Sequence, residues 1–106
     1  MWILRTPEGA EPAVTFRLLP GNINTIGRAV GVDFVVDANL VSRVHCRLTA
    51  GASEIEVLDL DSTNGTFVNG LPVQKRALVK AGDRIGVGRL ELEVRNAMQE
   101  ELEIGN

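Results

Sequence analysis

Turn-forming residues interrupt this chain roughly every 8–12 residues, and only short apolar runs stand between them. That rhythm predicts strands over 2–5, 15–19, 24–28, 34–36, 45–49, 55–60, 66–68, 71–73, 77–80, 84–87 and 90–94. The alternation is cleanest over 55–60. There Ile55, Val57 and Asp59 share one face, and Glu56, Leu58 and Leu60 the other. Ile26 points inward, and Asp37 closes the apolar run that begins at Phe34. Asn69-Gly70 supplies the two positive φ angles of a type I′ turn, so the runs on either side of it form a tight hairpin. Pro72 has no amide hydrogen to give a ladder and belongs on an edge strand. With no internal helix and no internal repeat, the chain reads as an all-β antiparallel sandwich or barrel.

The 106 residues suit one domain, and a hydrophobic content of 44% is enough for a core. The expected organisation is a sandwich over 1–95, followed by an acidic tail or linker start over 96–106. There is no run of about 18 apolar residues, hence no membrane span. Met1 leads straight into Trp2-Ile3-Leu4 without a basic start, so no secretory signal is expected. The single Cys46 forms no internal disulfide and fits a small buried hydrophobe in a reducing compartment. These features together indicate an intracellular location, in cytoplasm or nucleus.

The net charge of −3 is concentrated in Glu100, Glu101 and Glu103. Residues 1–95 hold all 11 Lys and Arg and the 11 other acids, so the body is neutral. A neutral body excludes general nucleic-acid binding, which needs a basic face. It leaves room for one phosphate, which needs only local positive charge.

Such local charge is present between the predicted strands. Gly27-Arg28, Ser42-Arg43-Val44-His45 and Thr63-Asn64-Gly65 put two guanidinium groups, two hydroxyls and one side-chain amide into connections. Guanidinium is planar, permanently charged and makes paired hydrogen bonds to phosphate oxygens. Ser42 beside Arg43 offers a second donor to the same oxyanion. The Asn64 amide both donates and accepts, matching a peptide backbone unit.

Catalysis and metal binding are expected to be absent. Ser42 and His45 lack a Gly-x-Ser-x-Gly elbow, a second His and an acid placed to orient the ring. His45 is assigned to loop support by hydrogen bonding. His45 and Cys46 are adjacent on a strand and point to opposite faces, so they do not share a metal. The stretch from Asp59 to Gly70 fails the calcium-loop template at its fifth, sixth and twelfth positions, here Thr63, Asn64 and Gly70. Asn69 and Gly70 are assigned a supporting role.

The order Gly27-Arg28, Ser42-x-x-His45, Ser62-Thr63-Asn64-Gly65 and Asn69-Gly70 resembles the forkhead-associated (FHA) domain, over roughly residues 1–95. The resemblance implies an FHA/SMAD-like β-sandwich of about eleven short strands, with binding loops at one end. It implies a non-catalytic module that recognises phosphothreonine on partner proteins, a Ser/Thr kinase or its substrate, without a cofactor. Arg28, Ser42, Arg43 and Thr63 would bind the phosphate, and Asn64 the peptide backbone. Gly27, His45, Gly65, Asn69 and Gly70 would hold the loops in shape. Leu40 would contact an apolar residue beyond the phosphothreonine. The alternative is a phospho-independent scaffold or oligomerisation domain on the same sandwich. No oligomeric state follows from the sequence.

Overall fold

The computed structural model describes residues 1–97. The acidic residues assigned to the tail at 100, 101 and 103 lie outside them. Eleven strands follow in order: β1 (Trp2–Arg5), β2 (Thr15–Leu18), β3 (Ile23–Gly27), β4 (Phe34–Val35), β5 (Cys46–Ala50) and β6 (Ile55–Asp59), then β7 (Thr66–Val68), β8 (Leu71–Pro72), β9 (Arg76–Val79), β10 (Arg84–Val87) and β11 (Leu90–Asn96). They form a six-stranded sheet, β2-β1-β11-β10-β7-β8, and a five-stranded sheet, β4-β3-β5-β6-β9. No helix among the described residues is long and apolar enough to cross a membrane.

The sandwich follows from period-two burial. Cys46, Leu48 and Ala50 of β5 face inward opposite Asp59, Val57 and Ile55 of β6, while Arg47 points to solvent. Ile85 and Val87 of β10, with Leu90, Leu92 and Val94 of β11, supply the facing layer. Each such side chain is worth about 1.5–3 kcal/mol when fully buried. Trp2 joins the two sheets, because its ring is buried and its Nε1–H donates to the Gly51 carbonyl at 2.8 Å.

The expected hairpin is present: Asn69 has φ 52° and Gly70 φ 81°, both in the left-handed region. Pro72 lies in β8, an edge strand. The expected all-β sandwich of eleven strands is present, and two details refine it. The sheets are not wholly antiparallel, since β3 and β4 pair in parallel through Ile26–Phe34 and Gly27–Val35. The segment 28–33 carries the chain back to the start of β3's last pair instead of reversing it. Asp33 closes this excursion by accepting the Thr25 amide at 2.8 Å. Strand β11 also runs to Asn96 rather than Val94, because its ladder continues along β1 to Trp2.

Strand directions sort the connections. The β1–β2, β4–β5, β6–β7, β8–β9 and β10–β11 connections, and the segment that leaves β3 after Gly27, lie at the end where Gly27, Asp59, Thr66 and Val87 are found. The candidate site is built there.

Candidate functional site

Two segments meet first. The Arg28 amide donates to the Ser42 carbonyl at 2.9 Å, and the Ala29 amide to the Arg43 carbonyl at 3.1 Å. This approach requires glycine before Arg28. A Cβ built on Gly27 would lie 2.1 Å from the Arg43 carbonyl oxygen, far inside contact distance. The Gly-Arg pair thus has a local cause: Gly27 lets the backbones touch, and Arg28 then leaves the sheet beside Ser42.

The β6–β7 connection closes over this pair. The Ser42 hydroxyl oxygen accepts the Thr63 amide at 2.9 Å, which leaves its own hydrogen available for a ligand. Asn64 donates through Nδ2 to the Leu40 carbonyl at 3.0 Å, tying the same two connections at a second point. Its Oδ1 and second N–H remain outside that bond.

Beneath them lies His45, fully buried. Its Nδ1 accepts the Ser42 amide at 3.0 Å, so the neutral ring carries its hydrogen on Nε2. That N–H donates to the Gly65 carbonyl at 2.9 Å. Both ring nitrogens are committed to backbone, and neither bonds the Ser42 hydroxyl. Cys46 turns the other way, into the core. Burial, with a smaller contribution from the Asp59 charge, pushes its thiol up to about 12, so the nucleophilic thiolate is suppressed.

Arg28 and Arg43 are exposed and line an open hollow of about 300 Å³ with Ala29 and Asp37. Ion pairs among the described residues join Arg76 to Glu56, Arg84 to Glu91 and Arg95 to Glu93. None uses Arg28 or Arg43. Two permanent cations, neither of them in an ion pair among the described residues, share this hollow with the Asp37 carboxylate, and guanidinium groups so placed can bind an oxyanion. A second groove, of about 430 Å³, is lined by the apolar Pro12, Ala38, Leu40 and Leu90 together with the polar Glu11, Asn39 and Arg89.

Of the residues singled out in the sequence, Gly27, Arg28, Leu40, Ser42, Arg43, His45, Thr63, Asn64 and Gly65 converge on one end. Asn69 and Gly70 do not join them. They sit at the other end of β7, where Asn69 accepts the Arg84 amide at 2.9 Å and donates to Asp83 at 3.1 Å. Hydrogen bonds from the Lys80 amide and from Asn69 hold the Asp83 carboxyl below the ordinary carboxylate range. Among the described residues no group of three or more His, Cys, Asp or Glu side chains is placed to hold a metal.

Sequence reasoning missed the part played by Asp59. Its Oδ1 accepts the hydroxyls of Ser62 at 2.5 Å and of buried Thr66 at 2.7 Å, and its Oδ2 accepts the Ser62 amide at 3.3 Å. Partial burial pushes this carboxyl up. The hydrogen bonds from Ser62 and Thr66 outweigh that and hold it below its ordinary value of 3.8. The available signal was Asp followed three residues later by Ser, a side-chain-capped turn.

Comparison with known proteins agrees with this geometry. The FHA domain family model matches residues 24–88. The chain is 37% identical over 90 residues to the oxoglutarate dehydrogenase inhibitor of Corynebacterium efficiens, a match over 85% of this chain and 62% of that protein. It thus spans under two thirds of that relative's length. Its fold superposes on the FhaA FHA domain complexed with the intracellular domain of Rv3910, with TM-score 0.78 and 34% identity, over 90% of this chain and 100% of the other. It matches with the same TM-score and identity an FHA domain analysed for phosphothreonine-dependent interactions, over 90% of this chain and 95% of the other.

Proposed function

The chain belongs to the FHA domain family, and on that premise we propose that it is a phosphothreonine-peptide binding module that recruits partners marked by a Ser/Thr kinase. The observation that carries this reading is the pair of guanidinium groups, Arg28 and Arg43, that line one hollow without an ion pair among the described residues, where the Arg28 backbone bonds that of Ser42. A phosphorylated side chain brings about −1.5 to −2 charges and three acceptor oxygens, and Arg clusters are a recurrent means of reading it. The phosphothreonine dependence of a solved relative at 34% identity supports the same ligand class.

In this reading Arg28, Arg43 and the Ser42 hydroxyl hold the phosphate, and Thr63 lies against it. Asn64 bonds the peptide main chain through the amide groups left over from Leu40. The groove beside Leu40 receives an apolar side chain beyond the phosphothreonine. Gly27, His45 and Gly65 keep the loops together, whereas Asn69 and Gly70 support the far end of the sheet. The domain acts without catalysis and without a cofactor, in an intracellular compartment. The sandwich is the recognition unit. What the whole protein regulates follows from the partner that this site selects.

Screening a degenerate phosphothreonine-peptide library, with unphosphorylated and phosphoserine versions alongside, tests the reading. Phosphate-dependent capture is expected. A folded sample that captures nothing at high peptide concentration would turn the assignment to a phospho-independent scaffold.

A further inference from the structure

The hollow that holds the two guanidinium groups also contains a carboxylate. Asp37 follows β4, is exposed, and lines the same 300 Å³ space as Arg28, Ala29 and Arg43. None of the ion pairs among the described residues uses it, although two arginines share its hollow. Its carboxylate is therefore open to whatever enters the hollow, with no ion pair among the described residues to occupy it.

A ligand phosphate meets two positive charges and one negative charge there. The hollow supplies a net +1 against about −1.5 to −2 on a phosphorylated side chain. A site built only to hold phosphate gains nothing from an acid in its wall, because like charges repel. The arrangement becomes complementary when the ligand carries its own cation next to the phosphate. The phosphate then faces Arg28 and Arg43, and the cation faces Asp37.

The geometry points to Asp37 as a specificity-determining residue that selects phosphothreonine peptides with a Lys or Arg close to the phosphothreonine and rejects those with acids there. This inference rests on the reading of Arg28 and Arg43 as phosphate ligands. An exposed pair of this kind changes affinity about two- to fivefold, and salt weakens the effect. The carboxylate thus sorts among phosphopeptides rather than creating the binding.

The test uses one phosphothreonine peptide with alanine flanks. Lys, and separately Glu, is placed at each of the three positions on either side. Affinities are measured at low salt for the wild type, Asp37→Asn and Arg28→Ala. In the wild type, Lys at one or more positions should raise affinity about two- to fivefold, and Glu there should lower it. In Asp37→Asn the Lys gain should vanish, and the alanine-flanked peptide should bind as tightly as before or more tightly. Three results would overturn the inference: no position responds to Lys, the Lys gain survives in Asp37→Asn, or that variant loses affinity for every peptide alike. The last would make Asp37 a ligand of the peptide itself. Phosphate-dependent, Arg28-dependent binding that is indifferent to Lys overturns this inference alone. Absence of phosphate-dependent binding overturns the phosphate reading and this inference with it.

Discussion

The Ser42 hydroxyl oxygen accepts the Thr63 amide at 2.9 Å, across 21 residues of sequence. One atom thus ties the β4–β5 connection to the β6–β7 connection, and its hydrogen remains for a ligand. Ser42→Ala should remove a phosphate donor and loosen both loops. The expected loss is about 1.5–3 kcal/mol of binding, roughly 10- to 150-fold in affinity. Thr63→Ala keeps the backbone donor and should cost about 1 kcal/mol, near fivefold. Calorimetric titration of both variants with one phosphopeptide checks the order, and equal losses would contradict it.

Arg28 is exposed and contributes to the sandwich mainly through its backbone bond to Ser42. Arg28→Ala should therefore leave the melting temperature within about 2 °C of wild type, as for an ordinary surface substitution. Phosphopeptide affinity should fall at least tenfold, the cost of about 1.5 kcal/mol for a charged hydrogen-bond partner. Arg28→Lys should recover only part of the affinity, because a point charge cannot make the paired bonds of guanidinium. Thermal denaturation and titration on the same samples separate the two effects.

His45 shows the opposite profile. Its ring serves the Ser42 amide and the Gly65 carbonyl from a fully buried position. His45→Ala leaves both without a partner and opens a cavity, which predicts about 2–4 kcal/mol of destabilisation. Denaturant unfolding of the unliganded domain reads this directly. A variant as stable as wild type would refute the supporting role.

Gly27→Ala probes the close approach of two loops without touching a charge. The added Cβ would sit 2.1 Å from the Arg43 carbonyl oxygen, so the backbones must part. The expected result is about 1–3 kcal/mol of overpacking cost and loss of the Arg28–Ser42 backbone bond. Stability and phosphopeptide affinity should fall together, unlike the Arg28→Ala result.

Asp59 gives the domain an acid sensitivity of known sign. Its folded carboxyl lies below the ordinary value of 3.8, held there by Ser62 and Thr66. A depressed folded value means a contribution that is present at neutral pH and lost as pH falls through the folded value. The stability difference between wild type and Asp59→Asn should therefore shrink as pH drops below about 4. Urea unfolding at a series of pH values measures it, and a difference that grew in acid would contradict the assignment.

The parts of the fold legible in sequence were those that local chemistry dictates. Asn69-Gly70 specified its own turn, and Ile55 and Val57 their own face. The parallel β3–β4 pair was not legible, because nothing local to Phe34 and Val35 records which way the excursion from Arg28 returns. Site residues were legible as an ordered set of polar types in connections, and Arg28, Ser42 and Thr63 do meet. Spacing alone could not separate Asn69 from them, since the three residues of β7 carry it to the other end. The Asp59 carboxylate was hidden by its place in a strand alternation, where its bonds to Ser62 and Thr66 exist only after the turn has formed.

The most direct measurement is an amide NMR titration of the labelled domain with a phosphothreonine peptide and with the same peptide unphosphorylated. The account predicts phosphate-dependent shifts at Arg28, Ser42, Arg43, Thr63 and Asn64, with Asn69 and Gly70 unmoved and no response to the unphosphorylated peptide. Shifts that ignore the phosphate, or that fall on the sheet faces and leave Arg28 and Ser42 still, would contradict it.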